Sequence, residues 1–286
     1  MLSIRQTILN KGNNILNVYF TAGHPTLEST ELILKALSES GADLIELGMP
    51  YSDPLADGPT IQQSSEIALR NGQTIKNIFK QVNNVRSHIA VPIILMGYLN
   101  QVLQYGAEKF LQDAQAAGIN GLIIPDLPME IFERDFQSLF KKYGLEISFL
   151  ITPMTSDERI KQADKISSAF IYIVSQSSIT GKKGGISEKQ IEYFTKIKSM
   201  NLKSPSLIGF GIHNRETIDI ANHYSNGAIV GSAFIRAIEK KEIWLRLFLI
   251  LWILCATKLI LLLFRIFSSL KFSFQLENTI GQLNFS

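Results

Sequence analysis

Eight short stretches of near-continuous apolar or β-branched character recur along the chain, each bounded by Gly, Pro or Asp. They cover 15–21, 44–47, 92–96, 121–124, 146–151, 170–174, 206–209 and 227–230. A half-exposed antiparallel strand alternates apolar and polar residues. Most of these runs do not, so they read as parallel strands covered on both faces. Segments of helical period lie between them. Residues 27–40 place Leu32, Ile33, Ala36 and Leu37 at helical spacing and end at Gly41, as a C-cap would. Further helices are predicted over 74–88, 107–117 ending at Gly118, 131–143 ending at Gly144, 156–167 opened by Ser156, 187–200 and 214–225. Strand and helix alternate, which gives an α/β class with a parallel sheet. Eight strands favour a closed (β/α)8 barrel over a doubly wound sheet, which usually has fewer. No low-complexity linker precedes Glu242, so residues 1–242 read as one catalytic-sized domain.

Composition narrows the class further. A hydrophobic fraction of 46% with 19% charged residues suits a globular chain with a large core. A formal net charge of +3 is too small to argue for nucleic acid. The single cysteine, Cys255, excludes an intrachain disulfide framework and a cysteine-rich metal site. It fits a reducing, cytoplasmic compartment. The first ten residues carry no apolar core of signal-peptide length.

Barrels of this kind react at the C-terminal ends of their strands, so polar residues there are the candidates. Glu46 is an acid inside an apolar strand; if it points inward, desolvation suits it to general acid–base work. Its bland alternative is a carboxylate paired with a structural cation. A loop with three prolines and two aspartates, 49–60, follows directly. The prolines fix its course and so the placement of Asp53 and Asp57, although either could simply form a turn. Gly209-Phe210-Gly211 and Gly231-Ser232 end the last two strands. Glycines admit an anion close to the backbone, and this is where such barrels bind phosphate; tight turns are the plainer reading. The stretch 177–185, with Lys182 and Lys183, has the composition of a loop that covers a site. No His, Asp or Glu cluster has metal-ligand spacing. Among the histidines, His88, His213 and His223 read as surface residues, and His24 as part of a turn.

The run Glu46-Leu47-Gly48-Met49-Pro50-Tyr51-Ser52-Asp53-Pro54-Leu55-Ala56-Asp57-Gly58-Pro59 resembles the tryptophan synthase alpha chain family. Agreement extends to 19–23, 95–100, 124–128, 151–153, 180–181, 209–212 and 231–232, and so over roughly residues 1–240. The family is a TIM barrel. The resemblance implies a lyase that splits indole-3-glycerol phosphate into indole and glyceraldehyde 3-phosphate by a retro-aldol reaction, with no cofactor of its own. Glu46 matches the general acid–base residue and Asp57 the carboxylate that holds the indole N–H. Tyr172 matches a tyrosine beside the catalytic Glu, and Phe20 resembles the residue packing on the indole ring. Gly181, Phe210, Gly211, Gly231 and Ser232 match the phosphate cradle. Thr180 resembles the lid residue that meets the loop aspartate on closure. The family works as an α2β2 tetramer with a beta chain that carries pyridoxal phosphate and receives indole through a tunnel. Asp53, Pro54 and Asn100 match positions near that interface; loop architecture is their alternative role. A different phosphate-binding barrel and a barrel that only activates a beta chain are the competing readings.

After Lys241 the resemblance fails. Residues 243–276 contain no Asp or Glu, and apolar residues cover every helical face. A span needs about 20 apolar residues, and Lys258 falls near the middle of the candidate stretch. The readings for 243–286 are a tail anchor, a divergent closing helix, or a tail read in a shifted frame that replaces the family's last helix. The joint loss of polarity and resemblance favours the last.

Overall fold

A parallel strand that is apolar on both faces must be covered on both faces, and a sheet closed on itself does this with helices outside and side chains within. The computed structural model describes residues 3–55, 57–175, 186–209 and 211–239, and in it the sheet closes. Eight parallel strands follow one another around the barrel: β1 (Ile15–Thr21), β2 (Leu44–Gly48), β3 (Ile93–Met96), β4 (Gly121–Ile123), β5 (Glu146–Ile151), β6 (Ile171–Val174), β7 (Ser206–Gly209) and β8 (Gly227–Val230). β8 pairs in parallel with β1, which closes the ring. All eight expected strands are present, with ends moved by a single residue where they differ. β3, for example, begins after Pro92, which has no N–H to give a ladder.

The core has two parts. Ile45, Leu47, Leu95 and Ile173 pack outward against the helices with Ile33, Leu37, Phe110 and Phe194. Ile15, Tyr19, Leu44, Ile94, Met96, Tyr172, Leu207 and Ile229 fill the interior. The two sets alternate along each strand, as the period of two requires.

The expected helices are present, within two residues at the ends, save that the one expected over 74–88 is α-helical only over Ile75–Val85 and ends in a 3-10 turn at Arg86–His88. Gly118 and Gly144 cap theirs in the left-handed conformation. The segment expected as 131–143 starts earlier, at Met129, and widens to a π-turn at Phe132–Phe136. Helices Ile4–Lys11, Pro59–Arg70, Leu99–Tyr105 and Ser232–Ile238 were not expected. The first closes the N-terminal end of the barrel. Ile4 and Ile8 join the interior core. Its first turn is held by Glu146, whose carboxylate accepts from Ser3 Oγ at 2.9 Å and from the Ile4 and Arg5 amides. A carboxylate at a helix N-terminus meets both the free N–H groups and the helix dipole. Gly121 leaves the room for this plug, since a Cβ there would stand 2.6 Å from Ile4 Cδ1. The tail 243–286 lies outside the described residues. Among the described residues, no helix is long and apolar enough to cross a membrane.

Candidate active site

Glu46 stands in the middle of β2, between the outward-facing Ile45 and Leu47, so its side chain points into the barrel. It is fully buried. Asn17 Nδ2, on the neighbouring strand, donates to Glu46 Oε2 at 2.7 Å, while Oε1 has no hydrogen-bond partner among the described residues. Burial pushes the carboxyl up from 4.5 to about 8; the Asn17 bond works against this rise and the charge of Asp57 adds to it. In a low dielectric the charged form is the costly one.

The proline-rich loop brings Asp57 back over the same end of the barrel. The Tyr98 hydroxyl donates to Asp57 Oδ2 at 2.9 Å, and Oδ1 is buried without a partner among the described residues. Burial raises this carboxyl from 3.8 to about 6, with the Tyr98 bond opposing the rise. Between pH 6 and 8, then, Glu46 holds its proton and Asp57 is an anion. Two carboxyls whose environments separate their ionisation are suited to different roles.

Tyr172 is on the inward face of β6. Burial pushes its phenol well above the usual range, and the charges of Glu46 and Asp57 push it further. Tyr172 and the strand end at Gly209 are fitted to each other: a Cβ at Gly209 would lie 2.4 Å from the Tyr172 hydroxyl.

Phe20 is a correction. It is fully buried on the outward face of β1, edge-on to Phe234 with ring centroids 6.4 Å apart. A side chain there cannot reach a ligand inside the barrel, because neighbouring residues on a strand face opposite ways. Tyr19 takes the inward place. It pairs in register with Glu46, and its phenol, raised first by burial, is raised next by the charges of Asp57 and Glu46. A Cβ at Gly48 would lie 2.2 Å from its hydroxyl, so Gly48 is required for that ring position.

At the ends of β7 and β8, Gly211 has φ +78°, a conformation that disfavours other residues. A Cβ at Gly231 would make only ordinary contacts, 3.5 Å from Tyr19. Packing therefore does not demand glycine at 231. Gly211, Gly231 and Ser232 all remain accessible to solvent. Thr180, Gly181 and the rest of the stretch 177–185, with Phe210, lie outside the described residues. Asp53 and Asn100 are on the outer rim, exposed, with Pro54 half-buried between exposed neighbours. Leu55 beside them is 93% exposed. Asn100 donates to the Tyr51 hydroxyl at 3.1 Å, and Tyr51 stacks on Tyr98 at 5.0 Å, which ties the rim to Asp57.

His24 lies in the turn after β1, its amide donating to the Thr21 carbonyl at 3.2 Å. It is buried, which drives its imidazole down to about 4. The other histidines are exposed. Among the described residues no cluster of His, Cys, Asp and Glu could hold a metal ion.

Asn17, Tyr19 and Tyr98 complete the site and were not anticipated. The signal for the first two was present: in Ile15–Thr21 the polar residues Asn17, Tyr19 and Thr21 occupy every second position and so share one face. Tyr98 lies beyond the end of β3, where no periodicity applies.

The model of the family described as tryptophan synthase alpha chain matches residues 6–246. The chain is 50% identical over 235 residues to the tryptophan synthase alpha chain of Flavobacterium psychrophilum, covering 82% of this chain and 93% of that one. Among solved structures it is similar to tryptophan synthase subunit alpha from Legionella pneumophila, with a TM-score of 0.80 and 32% identity over 89% of this chain and 97% of the other. A variant of the tryptophan synthase alpha-subunit from Pyrococcus furiosus gives a TM-score of 0.78 and 35% identity, over 86% and 99% of the two chains. Closed barrel, inward Glu46, opposing Asp57 and these similarities agree: the chain belongs to the tryptophan synthase alpha chain family.

Proposed function

We propose that this barrel cleaves indole-3-glycerol phosphate to indole and glyceraldehyde 3-phosphate, with Glu46 carrying the proton and Asp57 stabilising the charge. The observation that carries the assignment is the pair of buried carboxyls at one end of the barrel, Glu46 inward on β2 and Asp57 held by Tyr98, with burial raising both and Glu46 the more. Neutral Glu46 gives its proton to the indole C3. The ring becomes an indolenine whose positive charge lies on nitrogen, and the Asp57 carboxylate accepts the N–H and balances that charge in a water-poor site. Glu46, now a carboxylate, takes the proton from the glycerol hydroxyl. The C–C bond breaks, its electron pair returns to the indole ring, and the aldehyde leaves. Glu46 ends protonated, ready for another turn. The proton count closes on this one residue, and no cofactor on this chain enters the step.

In this reading Tyr19 and Tyr172 flank the indole ring. Gly211, Gly231 and Ser232 hold the phosphate, with Thr180, Gly181 and Phe210 completing the cradle and lid. The partner is a beta chain bearing pyridoxal phosphate in an α2β2 assembly in the cytoplasm. Asp53, Pro54, Asn100 and the exposed Leu55 form part of the face that meets it, and an apolar side chain so exposed on a rim supports a docking role. Residues 1–242 carry the reaction and 243–286 form an atypical tail; that the family match ends at 246, close to this boundary, supports the division.

The test is indole release from indole-3-glycerol phosphate, measured with and without a beta chain. Glu46→Gln is expected to abolish release and to leave binding of glycerol phosphate unchanged. Near-normal turnover in that variant would overturn the assignment. Exchange of the region after Lys241 for a family-type helix, with activity preserved, tests the division of the chain.

A further inference from the structure

We infer that Asn17 is a positioning residue for Glu46: its amide occupies one carboxyl oxygen and thereby fixes which oxygen carries and delivers the proton. The inference rests on the reading of Glu46 as the proton carrier.

The geometry is local and complete. Asn17 and Glu46 are both at 0% exposure on the inward faces of adjacent parallel strands. Asn17 Nδ2 donates to Glu46 Oε2 at 2.7 Å, within the usual range for an N–H···O bond. Its backbone is clamped on both sides, in register with Leu44 on β2 and Ile229 on β8. Strand pairing on both sides thus fixes the backbone from which the amide reaches the carboxyl.

Packing gives no reason for an amide here. Its inward-facing neighbours are Ile15 and Tyr19 on its own strand, Leu44 on β2 and Ile229 on β8. Asn17 Oδ1 finds no hydrogen-bond partner among the described residues, a loss that an apolar side chain would avoid. A polar group kept at such a cost has its return at the atom it does contact, and that atom is Glu46 Oε2.

The chemical consequence follows from the donor. An oxygen that accepts an N–H at 2.7 Å cannot also present a proton toward it. In the neutral acid the N–H therefore favours the proton on Oε1, the oxygen with no partner among the described residues. In the carboxylate the same N–H remains and favours the charge. One amide thus serves both halves of the cycle: it aims the proton before transfer and supports the anion after it. It also limits how far burial weakens the acid, which keeps Glu46 near the pH at which it has to cycle. The titratable groups that face Glu46 are Asp57 from the loop after β2, Tyr19 from β1 and Tyr172 from β6. None of them donates to Oε2, so Asn17 is the group to vary.

The experiment uses the full chain with Asn17→Leu, which keeps the branched outline at Cγ and removes the donor, and Asn17→Asp, which sets a second carboxyl against the first. Protonation of Glu46 is followed in the ligand-free protein by infrared difference spectroscopy, with the band assigned by its loss in Glu46→Gln. Indole release is followed across pH in parallel. In Asn17→Leu the Glu46 midpoint is expected to rise by about one pH unit. The alkaline limb of kcat should move with it, and kcat should fall about tenfold at neutral pH with KM within about twofold. Asn17→Asp should raise the midpoint further, because two touching carboxylates resist joint ionisation. If the leucine variant does not fold, Asn17→Ala removes the same donor without added bulk. A folded variant with an unmoved midpoint, or a moved midpoint with unchanged kcat, overturns the inference. Retained turnover in Glu46→Gln would instead overturn the underlying reading, while the infrared midpoint would still report on the contact.

Discussion

Replacing Glu46 with Gln should destroy turnover and, at alkaline pH, make the protein more stable. The carboxyl ionises at 4.5 in the unfolded chain and at about 8 inside the barrel. Between those values the folded state holds a proton that the unfolded state has released. The stabilisation is therefore fully present below pH 4.5 and is lost as pH rises to about 8. At 1.36 kcal/mol per pH unit, that interval is worth about 5 kcal/mol. Whole domains are stable by roughly 5–15 kcal/mol, so the acid is a large liability above neutrality. Gln is nearly isosteric and neutral at every pH. It disturbs the Asn17 contact by about 1 kcal/mol, and that loss does not vary with pH. The assay is urea unfolding of both proteins at pH 5 and pH 9, followed by circular dichroism at one ionic strength. The expected difference, variant minus parent, is near zero or slightly negative at pH 5 and positive by several kcal/mol at pH 9. Titration of Asp57 and His24 is common to both proteins and largely cancels. A difference that stays constant within about 1 kcal/mol across this range would refute the argument, since it would mean that Glu46 ionises inside the barrel without penalty.

Three further outcomes follow from contacts in the site. Tyr98→Phe removes the hydroxyl that donates to Asp57 Oδ2, so Asp57 should ionise above its present value of about 6; the acid limb of kcat/KM should move upward, and an unmoved limb would place the charge partner elsewhere. Gly48→Ala sets a Cβ 2.2 Å from the Tyr19 hydroxyl, and should lower kcat at least about tenfold, a barrier of about 1.4 kcal/mol, with the circular dichroism spectrum unchanged. Phe20→Leu should reduce stability by about 1–2 kcal/mol, as a core substitution does, with turnover intact, whereas Tyr19→Leu should impair turnover; the reverse pattern would return Phe20 to the site.

Much of the barrel was legible because burial on both faces leaves a distinctive trace, a short apolar run with Gly, Pro or Asp at each end. β1, β5, β7 and β8 were expected with the bounds they have. Helices with a broad apolar face, such as Ile75–Val85, were equally plain. The unexpected helices lack that trace for physical reasons. Ile4–Lys11 buries only Ile4 and Ile8, two residues a turn apart, against the barrel floor. Leu99–Tyr105 and Ser232–Ile238 are seven residues each, too short for periodicity to show. Pro59–Arg70 begins inside what reads as an irregular loop, with Pro59 supplying the first turn.

The site shows where residue identity stops being informative and orientation takes over. Glu46 and Asp57 stand out in the chain as candidates because a carboxyl in an apolar strand and another in a proline-stiffened loop are chemically conspicuous. Phe20 could be misplaced because Tyr19 and Phe20 are both aromatic and adjacent, and identity does not separate them. The period of two does: once Glu46 is inward on β2, its register partner Tyr19 is inward on β1, and Phe20 must face the helices. The same rule carries Asn17 inward, two residues before Tyr19, to within hydrogen-bond reach of the acid. Tyr98 follows from no such rule. It meets Asp57 because the loop folds back over the barrel, and that path is set by Gln101, whose side chain donates to the Pro50 carbonyl at 3.0 Å and accepts from the Tyr98 amide at 3.0 Å. The strand-borne half of the site thus follows from alternation plus one fixed residue, while the loop-borne half depends on hydrogen bonds between segments some fifty residues apart that leave no local pattern in the chain.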